Sequence, residues 1–345
     1  MTSAWFDQDA SNGAAHRFCV APMLDWTDRH CRYFHRQLSR RARLYTEMVT
    51  TAAILHGRRD QLLAYDPHEQ PLALQLGGAD RKELAACARI GADMGFSEIN
   101  LNVGCPSDRV QRGRFGACLM LEPETVAAAV KAMSDAVTIP VTVKSRIGVD
   151  DQDSYEALAA FIGKVHDAGC RTFIVHARKA WLKGLSPRQN REIPPLRYDM
   201  VAKLKRDFES IEIVLNGGIQ SMQECREHLR TFDGVMIGRA AYHQPYLLSR
   251  VDGELFGDLD PQRSRVDVVN AMLPYIERQI SMGQKLHGIT RHMLGLFHGE
   301  PGGKVWRRRL GEMVQSPGTG AAEVLAALEL QQGFQARQPD VSLEL

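Results

Sequence analysis

The sequence predicts an α/β protein: a (β/α)8 TIM barrel followed by a small C-terminal helical bundle domain. Three observations predict it. Short apolar runs alternate with amphipathic stretches of helical period, eight times over roughly 240 residues, the length and order of such a barrel. The carboxyl ends of those runs carry polar or conformationally special residues, as a barrel mouth does. After Tyr242 only helical periodicity remains. Strict alternation with short loops rules against a β-sandwich. A doubly wound open sheet is the competing architecture, and the strand count disfavours it.

The first strand is expected at 18–23, an apolar run closing on Ala21-Pro22-Met23. A helix follows to Leu38, capped by Thr27 or Asp28. The second strand spans 44–48, and a helical stretch carries Ala52, Ala53, Ile54 and Leu55. The third strand, 71–76, ends at Gly77-Gly78, and Asp80 caps an amphipathic helix to Met94. The fourth strand begins at Glu98, and Pro123 opens a helix to Ala136. Strands at 139–147, 172–177, 211–216 and 234–238 alternate with helices at 153–168, 198–208 and 221–229. Then come a helical stretch at 245–250, a polar linker at 257–261, and helices at 266–283, 289–297, 305–314 and 321–330. The expected division is an N-terminal extension at 1–17, a barrel at 18–250, a helical domain at 262–330 and a tail at 331–345.

Composition bounds the function. The chain has 345 residues, long for one domain and fitting a large barrel plus an appendage. Hydrophobic residues make up 44%, enough for a sizeable core. No apolar run approaches the roughly 20 residues of a spanning helix, so no membrane is expected. The polar stretch Met1 to Arg17 lacks the pattern of a signal peptide. Seven scattered cysteines with no Cys-x-x-Cys indicate neither a disulfide framework nor a metal site, and a reducing cytoplasm is the simplest compartment. The net charge of +2 does not announce nucleic acid, but its distribution says more. Arg29, Arg32, Arg36, Arg40, Arg41 and Arg43 crowd one segment, and Lys304, Arg307, Arg308 and Arg309 another. Such clusters are either solvated helix faces or phosphate-contact surfaces.

The most informative stretch is Glu98-Ile99-Asn100-Leu101-Asn102-Val103-Gly104-Cys105-Pro106-Ser107. Its first half alternates, with Ile99, Leu101 and Val103 on one face and Asn100 and Asn102 on the other. Gly104, Cys105 and Pro106 then stop the strand, which presents a thiol at a strand's carboxyl end. A buried structural cysteine in a turn is the competing reading. Other strand ends supply Pro22 and Met23, Gln75, Lys144 and Arg146, His176 with Arg178 and Lys179, Asn216-Gly217-Gly218, and Gly238-Arg239. Gly217, Gly218 and Gly238 offer backbone N–H groups free of Cβ obstruction, a short helix starting near Ala240 adds a positive end, and Arg239 can close a bidentate fork. Barrels commonly hold a phosphate in the loops after strands seven and eight. Lys144 and His176 then flank the ring that such a phosphate tethers, and Gln75 can bond an amide edge. The set suits FMN better than a dinucleotide, since no Gly-x-Gly-x-x-Gly follows the first strand.

These residues carry a specific resemblance. Ala21-Pro22-Met23, Glu98 through Pro106, Val143-Lys144-Ser145-Arg146, Val175-His176-Ala177-Arg178, Asn216-Gly217-Gly218-Ile219 and Gly238-Arg239-Ala240 resemble the motif series of the tRNA-dihydrouridine synthases. Leu24 through Arg29, the Lys179-Ala180-Trp181-Leu182 loop and Ile289 through Leu296 are similar to the bacterial A-type branch, which acts on D-loop uridines 20 and 20a. The likeness runs from about Phe18 to about Arg309. It implies an FMN-bearing catalytic barrel, a helical tRNA-binding domain, and NADPH as reductant, with NADH an alternative. It implies flavin contacts at Pro22, Met23, Leu24, Gln75, Lys144, His176, Asn216, Gly217, Gly218, Gly238 and Arg239, a catalytic thiol at Cys105, and a hold on the substrate uridine at Asn102. It implies that Arg188, Arg191, Lys304 and Arg307 orient the bound tRNA. No metal and no DNA are expected, and a monomer is expected. Reduction of a uracil C5=C6 bond needs hydride at C6 and a proton at C5, the latter from Cys105 as general acid. The main rival is an FMN barrel oxidoreductase of a free pyrimidine, of the dihydroorotate or dihydropyrimidine type. Against it stand the helical appendage and the basic clusters. An idle RNA-binding barrel and a non-redox phosphate-binding isomerase are the remaining alternatives.

Overall fold

The computed structural model describes residues 15–313 and 320–335. Within them lie two compact units. The first comprises the described residues to Met23, then Ala42–Tyr65 and Gln70–Ile237. Its strands are β1 (Phe18–Val20), β2 (Leu44–Tyr45), β3 (Val49–Thr50), β4 (Leu72–Gly77), β5 (Glu98–Val103), β6 (Val141–Arg146), β7 (Thr172–His176), β8 (Glu212–Asn216) and β9 (Gly234–Ile237). All pair in parallel, in the order β1-β9-β8-β7-β6-β5-β4-β2, with β3 also on β4. Backbone bonds Val20 N–H to Arg43 O (2.9 Å) and Arg43 N–H to Phe18 O (3.0 Å) join β1 to the start of β2 and close the ring. With β2 and β3 as two pieces of one strand, this is an eight-stranded TIM barrel.

Two strands differ from expectation, each at an identifiable break in the ladder. The first stops at Val20. Ala21 still donates to Ile237 O (2.8 Å), but Pro22 has no N–H to continue the ladder. The second, expected unbroken over 44–48, splits because the Thr46 hydroxyl takes a ladder position and accepts from Gln75 N–H at 3.0 Å. The predicted caps hold: Asp80 accepts from Lys82 and Glu83 N–H, and Asp28 from His30 and Cys31 N–H. Inside the barrel, Cys19, Tyr45, Ala73, Ile174, Val214 and Met236 pack as one buried layer. Packing around the ring excludes water from both strand faces, which is why these strands read as near-continuous apolar runs.

The amino end of the barrel is sealed by charge. Buried Glu98 accepts from His16 Nε2 (2.7 Å) and Tyr45 OH (3.0 Å) and forms an ion pair with Arg43 Nη1 at 3.1 Å, and His16 Nδ1 reaches Glu212 at 2.8 Å. Of the extension expected at 1–17, residues 1–14 lie outside the described residues, while His16 is part of this floor.

The second unit comprises Leu24–Arg41, Asp66–Glu69 and the described residues from Gly238 on. Its longer helices are Arg29–Leu38, Arg265–Ser281, Gly303–Glu312 and Ala321–Gln335. The helix after β1 belongs here because its buried side chains have partners here. Arg32 bonds Glu69 at 2.7 Å, Tyr33 stacks on Tyr275 at 3.8 Å between centroids, and its cap Asp28 pairs with Arg291 at 2.6 Å. The helix expected at 289–297 is instead Leu286–Thr290 followed by turns, where Gly295 lies so close to His243 O that a Cβ would sit 2.4 Å from it. The last helix runs past 330 because Gln331 is buried and donates to Pro301 O at 2.9 Å. The remainder of the expected tail, 336–345, lies outside the described residues.

Candidate active site

The carboxyl ends of the strands gather most of the predicted residues in the barrel unit. Asn102, near the end of β5, turns its carbonyl back on the chain. Asn102 Oδ1 accepts from Gly104 N–H (3.1 Å) and Cys105 N–H (3.0 Å), an Asx turn that holds the thiol-bearing loop. Cys105 is partly exposed, and its Sγ donates to Ser107 Oγ at 3.6 Å. From the other side, Ala117 N–H bonds Cys105 O at 2.9 Å. Gly116 lies against the same carbonyl at φ +75°, where a Cβ would come within 2.5 Å of it. A glycine is required there by both the backbone angle and the approach.

Beside β5, Lys144 on β6 donates to Asn216 Oδ1 on β8 at 3.0 Å, and Asn216 Nδ2 donates to Met236 O at 2.8 Å. Among the described residues no carboxylate pairs with Lys144. Burial, with Arg146 beside it, pulls this amine down to about 7. Burial also lowers His176 well below its ordinary value, with Arg146 and Lys144 adding to the effect, so the imidazole is neutral. Gly217, at φ +110°, lies under the His176 ring, where a Cβ would be 2.5 Å from Cδ2. Gly218, at φ +79°, similarly faces Leu196 and Tyr198, and Tyr198 OH donates to Gly217 O at 2.6 Å. Arg146 stands close enough to Lys144 and His176 to add to the lowering of both, and the glycines here are dictated by contact as well as by angle.

Gln75, on β4, is 1% exposed and uses its amide within the barrel, donating to Asn100 Oδ1 and accepting from Asn102 Nδ2. Pro22 and Met23 follow β1 after Ala21. Leu24, Gly238 and Arg239 belong to the other unit: Leu24 is 67% exposed, and Arg239 opens the short helix Arg239–His243 immediately after β9 and Gly238. Arg188 and Arg191 are exposed on the loop after β7, with Arg188 3.6 Å from Glu192. Lys304 and Arg307 are exposed on the helix Gly303–Glu312. Arg308 and Arg309 pair with Glu312 at 3.7 and 3.0 Å, whereas among the described residues Lys304 and Arg307 meet no carboxylate.

Two organising residues escaped the sequence reading. Arg146 was legible only as one more strand-end cation. In the fold it is 3% exposed and donates to Gly104 O (3.0 Å), Lys179 O (2.9 Å) and Asn190 O (2.9 Å), tying together the loops after β5 and β7. Asn190, wholly buried, clasps Trp181 by two bonds, N–H to Oδ1 at 2.8 Å and Nδ2 to O at 2.9 Å. Nothing in a polar loop sequence marks that asparagine as internal.

Comparison with known proteins gives the chain a family. Residues 19–332 match the family described as Dihydrouridine synthase (Dus). A relative from Vibrio vulnificus is 57% identical over 313 residues, covering 90% of this chain and 96% of its own. Relatives from Salmonella typhi and Pseudomonas syringae pv. tomato are each 60% identical, over 317 and 298 residues, with 92% and 86% of this chain and 95% and 89% of theirs covered. All three are named tRNA-dihydrouridine(20/20a) synthase. Among solved structures, Morphinone reductase superposes with a TM-score of 0.50 at 12% identity over 71% of this chain and 88% of that one, a likeness of fold. With a partly exposed cysteine two residues past β5 and residues 19–332 matched by one family, a single assignment is left: this chain belongs to the dihydrouridine synthases.

Proposed function

We propose that the chain reduces the C5=C6 bond of uridines 20 and 20a in the tRNA D-loop. What carries the reading is Cys105, partly exposed on an Asx turn at the mouth that also holds the Lys144 amine, in a chain 57% identical to a relative named for that reaction. The residues fit a flavin mononucleotide. Within the barrel unit, Lys144 and Gln75 can donate to the carbonyl edge of its ring, His176 can flank that ring, and Pro22 and Met23 can line its face. The Asn216-Gly217-Gly218 turn suits its phosphate end. Bound FMN, reduced by NADPH or alternatively NADH, supplies the hydride that C6 of the uracil receives.

The protein's own share of the chemistry is orientation and a proton. Asn102 holds the base over the mouth. Cys105 delivers its thiol proton to C5, and the thiolate regains a proton from water through the open mouth. The target base must leave its stack to arrive, at roughly a few kcal/mol. Exposed Arg188 and Arg191 on the barrel unit, and Lys304 and Arg307 on the helices of 262–330, give the tRNA backbone phosphate contacts that set register. A free pyrimidine is not favoured as substrate, since it would use none of these cations. No helix among the described residues is long and apolar enough to cross a membrane. The reading is of a cytoplasmic monomer.

The test is Cys105→Ala. The variant should purify with FMN and oxidise NADPH at the parental rate, yet lose at least a hundredfold in dihydrouridine formed on tRNA, the order of a lost general acid. Dihydrouridine formation at the parental rate would remove Cys105 from the mechanism.

A further inference from the structure

The barrel interior contains a single-file hydrogen-bond chain that runs from its sealed amino end to its mouth. At the top, Cys105 N–H and Gly104 N–H donate to Asn102 Oδ1 at 3.0 and 3.1 Å. Asn102 Nδ2 donates to Gln75 Oε1 at 2.9 Å, and Gln75 Nε2 to Asn100 Oδ1 at 2.7 Å. Asn100 Nδ2 donates to Thr142 Oγ1 at 2.8 Å, and the Thr142 hydroxyl to Glu98 Oε1 at 2.5 Å. Glu98, Asn100, Gln75 and Thr142 are each no more than 1% exposed, so water cannot substitute for a missing partner.

The direction of every bond is forced from both ends. Backbone N–H groups can only donate, so Asn102 must present oxygen to them. Its nitrogen then faces Gln75, whose oxygen must receive it, and so on downward. At the bottom a carboxylate flanked by His16 and Arg43 can only accept, so Thr142 must give its proton there and receive from Asn100. An amide reversed anywhere would set donor against donor. Asn102 is left with one N–H to offer at the mouth, and Gln75 with one N–H and one lone pair. Each side chain therefore keeps one donor outside the column, which suits the carbonyl oxygens of a pyrimidine-dione ring.

We propose that Glu98, acting through Thr142 and Asn100, is a positioning residue that fixes the amides of Gln75 and Asn102 with their donors toward the mouth. The proposal rests on the uridine-reduction reading for its catalytic consequence, but not for its structural one. The effect belongs in turnover rather than in tRNA affinity, because a single base contact adds little to binding dominated by phosphates.

The experiment uses Thr142→Val, which removes the hydroxyl at nearly constant volume, and Thr142→Ser, which restores it. In protein labelled with 15N at Asn and Gln side chains, Thr142→Val should shift the Gln75 and Asn102 side-chain amide resonances and speed their hydrogen exchange, and Thr142→Ser should return both. With tRNA, Thr142→Val should lower kcat about tenfold at unchanged KM, with recovery in Thr142→Ser. Thr142→Ala serves in the same comparison if the valine variant does not fold. Unmoved amide resonances would overturn the proposal outright. Shifted amides with parental kcat would reduce the column to a structural feature and overturn its positioning role. A parent that forms no dihydrouridine would defeat the functional reading alone, since the amide spectra need neither tRNA nor turnover.

Discussion

His16 closes the amino end of the barrel with one ring between two carboxylates. Burial opposes its charge, but Glu98 and Glu212 win and raise it to about 9. Glu98, despite burial, is held down to about 2 by His16 and Arg43. The linkage has a definite sign. The pairing stabilises fully below the ordinary His value and is lost as pH rises through about 9. On the acid side it is lost as pH falls through about 2. Lys144 acts oppositely, since its lowered value makes the fold gain stability as pH rises above about 7. Comparing the parent with His16→Asn isolates the histidine. Urea unfolding should show the parent advantage shrinking by about 3 kcal/mol between pH 6 and pH 10. A parent-minus-variant difference that does not change with pH would place the histidine uncharged. Because the floor lies at the opposite end from the mouth, the substitution should cost stability and leave the FMN content of the folded protein unchanged.

The strand β6 contributes more through its last residue than through its length. Arg146 places three donor bonds on carbonyls of two different loops, those carrying Cys105 and Asn190. Burial lowers this guanidinium to about 10, yet it remains charged at neutral pH. Arg146→Met keeps much of the volume and leaves those carbonyls without donors, at about 2–4 kcal/mol of stability. The expected signature is local as well as global. Hydrogen exchange should accelerate over residues 104–117 and 178–192, and dihydrouridine formation should fall more than NADPH oxidation, because the Cys105 loop and the loop of Arg188 and Arg191 are loosened while Lys144 stays put. Unchanged exchange in both segments would mean that the loops hold themselves, Asn190 sufficing for one and Gly116 for the other.

Charge over the entire chain nearly cancels, at +2, so tRNA affinity must come from where the cations stand. The structure separates those that are spent from those that are not. Arg32 and Arg43 are buried against carboxylates, Arg188 and Arg308 each lie on the surface near the glutamate four residues on, and among the described residues Lys304 and Arg307 meet no carboxylate. Replacing Arg188, Arg191, Lys304 and Arg307 by Gln, singly and together, should weaken tRNA binding and flatten its dependence on salt, by a slope of about one for each phosphate no longer neutralised. NADPH oxidation should be untouched. Parental affinity and salt slope in the fourfold variant would show that tRNA docks elsewhere.

Periodicity and turn chemistry make much of this protein readable from its residues alone. Eight apolar runs, the Asp28 and Asp80 caps, the Pro123 helix start and the strand that delivers Cys105 depend on residues close in sequence, whose preferences are local. The mouth was legible because a parallel barrel sends every strand's carboxyl end to one side. The split of the second strand, the enrolment of Arg29–Leu38 in the second unit, the His16 floor, the Arg146 clasp and the column from Glu98 to Cys105 were not legible. Each is made by side chains far apart in sequence, such as Glu98 with Thr142 or Tyr33 with Tyr275. A polar residue in an apolar strand looks the same whether water or a buried partner satisfies it, and only closure of the barrel removes the water and names the partner.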